Sequence, residues 1–425
     1  MPLAVAGLLA GAVAPSHAAE KVRVGPRFFG IHDGSFQAYG RVEFGSVRLW
    51  DTGTTWRQIE TSPGHYNWTR LDSLVSSAQE HGVRVTLVLG MTPSFYADSR
   101  TVPPTDLAHY TDYVRAAMQR YRHFDGRRGI ESYQVWNEGN VTAFWTGSPH
   151  QLAELTRIVD RVRDQVDPGA RVVAPSFAAR LPSQRRWISE YQEQRVGGHP
   201  VWRHYDVNAL SLYPRAEYGS RAGGPEDAVR LLRRVRSGLD KAGVPHRRPI
   251  WGTEINYGLQ PGGPGTTTPA DAISRQRQVA NVLRTYILGA ARGLERVYWY
   301  RYDWGRVNGG TLGNTLLADP DDWSRASQAG RALRTAQRWL HGRLVAQPGH
   351  RRPCSHDRAG TYTCTLRRGH ALRTILWNPR RTVHVRIRGA TSLVDQQGRS
   401  TDIRAGRARI RVDYRPVLVR SGHAH

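Results

Sequence analysis

The sequence predicts an α/β fold, a (β/α)8 TIM barrel, followed by a C-terminal all-β sandwich domain. From about residue 24 to 343, eight short β-rich runs alternate with longer segments whose apolar residues recur at helical spacing. The runs are apolar nearly throughout, as expected for parallel strands buried on both faces. Beyond residue 344, short alternating strands separated by Gly or Asn-Pro turns replace this pattern. Eight strand–helix repeats are typical of a barrel with insertions.

The eight β-rich runs are the expected barrel strands, in chain order. An open doubly wound sheet is the alternative, but it requires a Gly-rich phosphate turn after an early strand. The segment after the first run, "HDGSFQAYG", lacks that spacing, which favours the barrel. The runs are 27–33, 44–51, 83–90, 130–138, 170–177, 205–214, 248–254 and 295–303.

Three segments make up the predicted domain organisation. Residues 1–19 are Ala/Leu/Val-rich and reach a small-x-small pattern at Ser16-His17-Ala18, which predicts a secretory signal cleaved after Ala18 or Ala19. The catalytic barrel is expected over 24–343 and the β-sandwich over 344–422. The sandwich has no catalytic cluster of its own, which favours a structural role over carbohydrate binding. We therefore expect a secreted, extracellular protein.

Hydropathy and charge indicate whether the chain spans a membrane and which kinds of partner it attracts. The mean hydropathy of -0.56 and the absence of an apolar run near 20 residues argue against a membrane span. The net charge of +26 arises from 61 Lys and Arg against 35 Asp and Glu. Attraction to anionic polymers is the functional interpretation, and an Arg-rich composition that reflects a GC-rich genome is the alternative. No basic tail or motif concentrates this charge, so we expect no nucleic-acid partner.

The only two cysteines, Cys354 and Cys364, lie in "CSHDRAGTYTC". Their spacing suits a hairpin, and no Cys/His set accompanies them, so a disulfide is expected rather than a metal site. In a chain-entropy account such a short loop contributes on the order of 2–3 kcal/mol. No His/Asp/Cys ligand set appears at the strand ends either, so we expect neither a metal nor an organic cofactor.

Two acids stand at the ends of barrel strands, where barrel active sites lie. The fourth run ends in "WNE" and the seventh in "GTE", which places Glu138 and Glu254 on one rim. Each lies close to a Trp. Solvated loop acids, or acids paired with Arg, are the alternative. A carboxylate pair facing a bound sugar is the arrangement that glycosidic bond cleavage requires.

The motifs "VWNEGN" and "WGTEINYG" resemble those of clan A glycoside hydrolases, most closely glycoside hydrolase family 39. The stretch 56–95 is also similar to the second helix and third strand of that clan, and the resemblance covers nearly all of the mature chain. By this resemblance, Glu138 corresponds to the general acid/base and Glu254 to the nucleophile. Asn137 corresponds to the residue that binds the sugar 2-hydroxyl, and Arg48 to the arginine beside the nucleophile.

The resemblance also implies further substrate contacts. Tyr213 matches an aromatic whose hydroxyl contacts the nucleophile. Trp299 corresponds to an eighth-strand platform under the sugar, with Trp304 as a competing choice and core packing as the alternative for both. His32 and Asp33, which close the first strand, are candidates for binding substrate hydroxyls.

Two positions depart from the family pattern. Gly139 stands where Pro is common, which suggests a looser turn after the acid/base. Ser211 stands where a histidine is usual, which puts one sugar contact in doubt.

The predicted activity is hydrolysis of a poly- or oligosaccharide with retention of configuration, by a double displacement. Retention predicts that the two carboxyl groups lie roughly 5–5.5 Å apart. Burial beside Trp136 and Trp145 is expected to keep Glu138 protonated. The alternative is a non-catalytic, secreted polysaccharide-binding protein on a barrel scaffold. The sequence leaves open which sugar is cleaved, whether the action is endo or exo, and the oligomeric state.

Overall fold

Eight parallel strands close into a barrel in the computed structural model, which confirms the predicted fold class. The structure describes residues 21–32, 34–37, 39–214, 223–257, 273–301, 316–319, 322, 324–346, 352–403 and 409–421. The predicted signal segment 1–19 and the predicted site residues Asp33 and Trp304 lie outside them. In chain order the barrel strands are Phe29–Ile31, Ser46–Leu49, Arg84–Val88, Ser132–Gln134, Arg171–Ala178, Val207–Ser211, Ile250–Ile255 and Arg296–Trp299.

Each of the eight barrel strands overlaps one of the predicted runs. Neighbours in sequence are neighbours in the barrel, and the eighth strand pairs in parallel with the first through Tyr298 and Gly30. The barrel interior is tightly filled, since a Cβ placed on Gly30 would lie 2.6 Å from Tyr298 Cδ1. Only glycine fits at that point.

Helices follow the second to eighth barrel strands and cover the barrel. Their starts are encoded locally: Ser148 accepts from the backbone N–H of Gln151, and the Gln151 side chain accepts from the backbone N–H of Ser148. Pro149 occupies the first helical position, where its missing N–H costs nothing. The helices are Trp56–Ile59, Thr69–Glu80, Leu107–Tyr121, Pro149–Val166, Pro182–Gln192, Pro225–Lys241, Arg275–Ala291 and Gln328–Leu340, with 3-10 turns Pro26–Phe28, Tyr39–Arg41 and Val201–His204.

The C-terminal domain is antiparallel and all-β, as predicted. Its larger sheet contains the strands Cys354–His356, Tyr362–Arg368, Ala371–Trp377, Ala390–Val394, Ser400–Asp402 and Val417–Ser421, extended by Arg343–Val345 and by Lys21–Arg23 from the chain start. A two-stranded ribbon, Val383–Arg386 with Arg409–Val412, packs against this sheet through Val412 and Val419. The N-terminal strand therefore belongs to the sheet of the β domain, although the barrel lies between them in sequence.

The predicted disulfide is present between Cys354 and Cys364. The two residues lie directly opposite each other on adjacent antiparallel strands, so the disulfide joins the two strands of one hairpin. Among the described residues there is no free cysteine.

A buried ion pair connects the β domain to two barrel helices. Arg284 of helix Arg275–Ala291 donates to Glu226 Oε2 at 2.7 Å and to the Tyr414 carbonyl at 3.2 Å. The indole N–H of Trp377 donates to Glu226 Oε1 at 2.8 Å. Helix Arg275–Ala291 is buried on nearly every face, because the barrel covers one side and the β domain the other.

Candidate active site

Arg48 is the centre of a polar cluster at the carboxyl ends of the barrel strands. Its side chain is fully buried. Nη1 donates to Glu254 Oε1 at 2.8 Å, Nη2 to Asn137 Oδ1 at 2.7 Å and Nε to Gln134 Oε1 at 2.8 Å. A buried cation requires such partners. Arg48 thereby connects the second strand with the segment after the fourth strand and with the seventh strand.

Glu254, on the seventh strand, has a donor for each carboxylate oxygen. Arg48 donates to Oε1, and the Tyr213 hydroxyl donates to Oε2 at 3.0 Å. Glu254 is only 6% exposed. Both hydrogen bonds stabilise the ionised carboxylate. The structure therefore brings together Arg48, Tyr213 and Glu254, three of the predicted site residues.

Glu138 follows the fourth strand in an unusual backbone conformation. Its φ of 41° lies in the left-handed region, which non-glycine residues seldom occupy. Its backbone N–H donates to Ser176 Oγ at 2.8 Å, and Ser176 also contacts Asn137. The adjoining Trp136 and Trp145 are buried with their ring centroids 5.0 Å apart. Backbone strain of this kind is common at functional sites.

The two predicted departures at Gly139 and Ser211 have different structural consequences. A Cβ on Gly139 would lie 2.4 Å from Leu152 Cδ2, and its φ is not positive. Glycine here permits close packing and does not loosen the turn. Ser211 pairs in register with Glu254 on the seventh strand and with Ala178 on the fifth. Its hydroxyl is buried and lies near the Glu138 carboxyl, whose pKa it lowers.

Burial and mutual repulsion make the two carboxyls titrate together. Burial raises the pKa of Glu138, against the opposing effects of Ser211, Arg180 and Arg48. Burial also raises the pKa of Glu254 to about 7, with Arg48 opposing and the charges of Glu138 and Asp51 adding to the rise. When such a coupled pair holds one proton, the partners of each carboxyl decide where that proton lies. Because Arg48 and Tyr213 both donate to Glu254, the negative charge is best stabilised there and the proton on Glu138.

His32 contacts Arg48 and is fully buried. Its Nε2 lies 2.9 Å from the Thr253 carbonyl oxygen and 3.3 Å from Arg48 Nη1. Burial, and then the charge of Arg48, hold the pKa of His32 well below its ordinary value. A neutral imidazole that donates from Nε2 to Thr253 fits this position. His32 therefore belongs to the cluster, although its ring does not reach the surface.

Trp299 is fully buried at the end of the eighth strand, with its ring centroid 6.0 Å from that of Tyr257. Successive strand residues point to opposite faces. Tyr298 packs in the barrel interior, whereas Trp299 joins the larger core that contains the helices. In this structure the Trp299 ring offers no solvent-facing surface.

Sequence reasoning missed a third carboxylate in the site. Asp51 lies just beyond the second strand, where its Oδ2 accepts from the Tyr300 hydroxyl and from Arg301 Nη1, the latter at 3.0 Å. The charge of Asp51 raises the pKa of Glu254. Asp51 follows the apolar run "SVRLW" in the same way that Glu138 follows its own run, so a search for every acid at a strand end would have found it.

No metal site is formed by the described part of the chain, where no group of three or more His, Cys, Asp or Glu side chains converges. Nor does any helix within the described ranges have the length and apolar character needed to cross a membrane. The polar groups of the cluster are three carboxylates, their amide and hydroxyl partners, the buried His32 and buried arginines.

Fold and site together define a (β/α)8 barrel with a buried arginine–carboxylate cluster at the carboxyl ends of its strands. No protein-family model and no curated protein matches the chain. Solved structures do: it is similar to a monomeric β-xylosidase from Caulobacter crescentus CB15, with 16% identity, 94% of this chain and 97% of that chain covered, and a TM-score of 0.63.

Two other solved structures share the fold across both domains. The glycoside hydrolase family 39 enzyme from Xanthomonas axonopodis pv. citri is 17% identical, with 95% of each chain covered and a TM-score of 0.61. A glucosidase from Croceicoccus marinus is 15% identical, with 90% of this chain and 81% of that chain covered and a TM-score of 0.60. At these identities the similarity is one of fold, and it includes the enzyme family that the sequence motifs resemble.

Proposed function

We propose that this protein is a secreted retaining glycoside hydrolase that cleaves glycosidic bonds of a poly- or oligosaccharide. One observation carries the proposal: the buried Arg48 binds both Glu254 and Asn137, the residue next to Glu138. Glutamates 116 positions apart in sequence thus share one electrostatic cluster. The solved structures of similar fold include a β-xylosidase, a glucosidase and a family 39 glycoside hydrolase, which supports the same class.

The proposed reaction has two displacements at the anomeric carbon. In the first, a Glu254 oxygen attacks this carbon while Glu138 gives its proton to the glycosidic oxygen. The bond between carbon and leaving oxygen breaks, and the aglycone departs as an alcohol. In the second, Glu138 takes a proton from water, whose oxygen attacks the same carbon. The bond to Glu254 breaks, the sugar is released with retained configuration, and both carboxyls return to their starting states.

The remaining residues of the cluster have distinct proposed roles. Arg48 keeps Glu254 ionised, and Tyr213 orients it. Asn137 is positioned by Arg48 to bind the sugar 2-hydroxyl, and Asp51 lies close enough to contribute to the sugar pocket. Asp33 and Trp304 remain predicted substrate contacts, whereas the fully buried Trp299 ring is assigned to core packing. No step of the proposed reaction requires a metal or an organic cofactor.

Substitution of each glutamate tests the proposal. We expect Glu254→Ala and Glu138→Ala to fold and to lose activity on a panel of aryl glycosides and polysaccharides. Added azide should partly restore turnover in at least one of them, because it can enter the space left by a carboxylate. Glu193→Ala, which removes an exposed glutamate at the end of helix Pro182–Gln192, is the control that should retain full activity.

The outcome separates a hydrolase from a binding protein. Full activity in either catalytic variant would overturn the assignment, as would a product of inverted configuration observed by NMR. Polysaccharide binding without turnover by the wild-type protein would favour the non-catalytic alternative.

Export is part of the proposal. The signal-like segment 1–19 and the disulfide between Cys354 and Cys364 both suit an oxidising compartment outside the cytoplasm. The N-terminal residue of the protein recovered from culture medium would test this, with Ala19 or Glu20 expected. Recovery only from cell lysate with residues 1–19 intact would contradict it.

A further inference from the structure

One cation at the rim of the candidate active site makes no ion pair with any residue that the structure describes. Arg180 follows the fifth barrel strand and is exposed. Its guanidinium carbon lies 5.9 Å from the centre of the Tyr213 ring, and the Tyr213 hydroxyl donates to Glu254. Among the described residues, no hydrogen bond or ion pair engages this guanidinium. Arg180 thus offers an available positive charge near Glu138, whose pKa it lowers.

The backbone that presents Arg180 is held firmly. Asn140, two residues after Glu138, donates to the Ala178 carbonyl at 2.7 Å and accepts from the Ala178 N–H at 2.9 Å. The Arg185 guanidinium donates to the carbonyls of Ala179 at 2.8 Å and Arg180 at 2.9 Å. These bonds attach the turn after the fifth strand both to the Glu138 segment and to helix Pro182–Gln192. A preorganised group loses less freedom when it binds a ligand.

Arg180 lies on a defined side of the site. Glu138, Arg180 and Tyr213 follow the fourth, fifth and sixth strands, which are consecutive in the barrel. Asp51, Tyr300 and Arg301 follow the second and eighth strands on the opposite arc, where the Asp51 charge is already paired with Arg301. In the proposed reaction Glu138 protonates the leaving oxygen, so the departing sugar lies on the Glu138 side. Arg180 is therefore beside the leaving group.

Building on the proposed function, we propose that Arg180 binds the carboxylate of a uronic acid residue on the leaving-group side of the scissile bond. The substrate class is then an acidic glycan. A guanidinium matches a carboxylate with two parallel hydrogen bonds, and Arg180 needs to break no existing pair to form them. The net charge of +26 would attract the same polyanion from a distance.

Matched acidic and neutral ligands isolate this contact. The probes are oligosaccharides of glucuronoxylan, polygalacturonate and hyaluronan, each compared with its carboxyl-reduced form, which keeps the linkage and loses the charge. Binding is measured by calorimetry to Glu254→Gln, which needs no turnover. For at least one pair we expect the acidic form to bind about tenfold more tightly, a difference of about 1.4 kcal/mol. Arg180→Gln in the same background should reduce the ratio of the two affinities to nearly one.

Arg186→Gln is the charge-matched control. Arg186 is exposed on helix Pro182–Gln192 and makes no ion pair within the described residues, so the acidic preference should persist in this variant. If Arg180→Gln and Arg186→Gln lose the preference for the acidic form equally, the preference comes from the long-range electrostatic field of the protein, and the proposal is overturned. The proposal is also overturned if the ratio of acidic to neutral affinity is near one without the Arg180 substitution, if Arg180→Gln leaves that ratio unchanged, or if no acidic oligosaccharide binds. If the protein hydrolyses only neutral glycans, the proposed function holds and this inference is refuted.

Discussion

Arg48 Nη1 and Glu254 Oε1 lie 2.8 Å apart, with the arginine fully buried. The charge of Arg48 opposes the rise in the pKa of Glu254 that burial causes. We predict that Arg48→Met lowers kcat/KM, because less of Glu254 is ionised, and that it lowers the free energy of unfolding by about 3–5 kcal/mol, because a buried pair is broken. Without the cation the pKa of Glu254 rises further, so more of the carboxyl is protonated at any given pH. The acid limb of the pH–kcat/KM profile should therefore move to higher pH.

Arg284→Met provides the comparison for Arg48→Met. Arg284 forms an equally buried ion pair with Glu226, but at the contact with the β domain. This variant should lower the melting temperature and leave the acid limb where it is. An unmoved limb in Arg48→Met, measured on an aryl glycoside, would contradict the role given to Arg48.

Glu138 occupies a positive φ of 41°, which predicts a conflict between stability and function at this residue. Glu138→Gly and Glu138→Ala both remove the carboxyl, but only glycine adopts this conformation without strain from a Cβ. We predict that the glycine variant is the more stable by about 1 kcal/mol, by thermal or chemical denaturation. At Glu154, inside helix Pro149–Val166, the order should reverse, with alanine favoured by about 1 kcal/mol. Equal stability of the two Glu138 variants would show that the strain is absent.

The Ser211 hydroxyl lowers the pKa of Glu138, against the dominant effect of burial. Ser211→Ala should therefore raise the pKa of Glu138, and the acid would keep its proton to higher pH. The alkaline limb of the pH–kcat/KM profile is predicted to shift upward. Thr253→Val is the matched control, because it removes a buried hydroxyl without a hydrogen-bond partner in the described structure, on the strand that carries Glu254. A shift of the same size in Thr253→Val would refute a specific role for Ser211.

The sequence predicted the barrel because a parallel strand buried on both faces leaves a local signal, an apolar run. All eight runs overlap observed strands. Glu138 and Glu254 were found in the same way, since an acid at the end of an apolar run requires an explanation, whereas Asn137 and Arg48 came from the family resemblance. These residues meet in one cluster because the barrel closes and brings together strand ends that are far apart in the sequence.

Other features left no local signal. The strand Lys21–Arg23 pairs with Arg343–Val345, more than 300 positions away in sequence, and its three residues carry no distinctive pattern. Whether Trp299 faces the site or the core depended on strand register, since a shift of one residue reverses the face. The availability of Arg180 depends on what its neighbours bind, and only the folded chain defines those neighbours.

The contact between Trp377 and Glu226 predicts that the β domain contributes to the stability of the whole protein. The Trp377 indole N–H donates to a buried carboxylate oxygen at 2.8 Å, and Arg284 satisfies the other oxygen. Trp377→Phe leaves that first oxygen buried without its donor, at a cost of about 1–3 kcal/mol. The variant should melt at a lower temperature while kcat/KM on an aryl glycoside stays unchanged. Trp187→Phe makes the same change in ring size at a partly buried indole with no hydrogen bond in the described structure, and should cost less. If the two variants lose equal stability, ring volume rather than the link to Glu226 accounts for the effect.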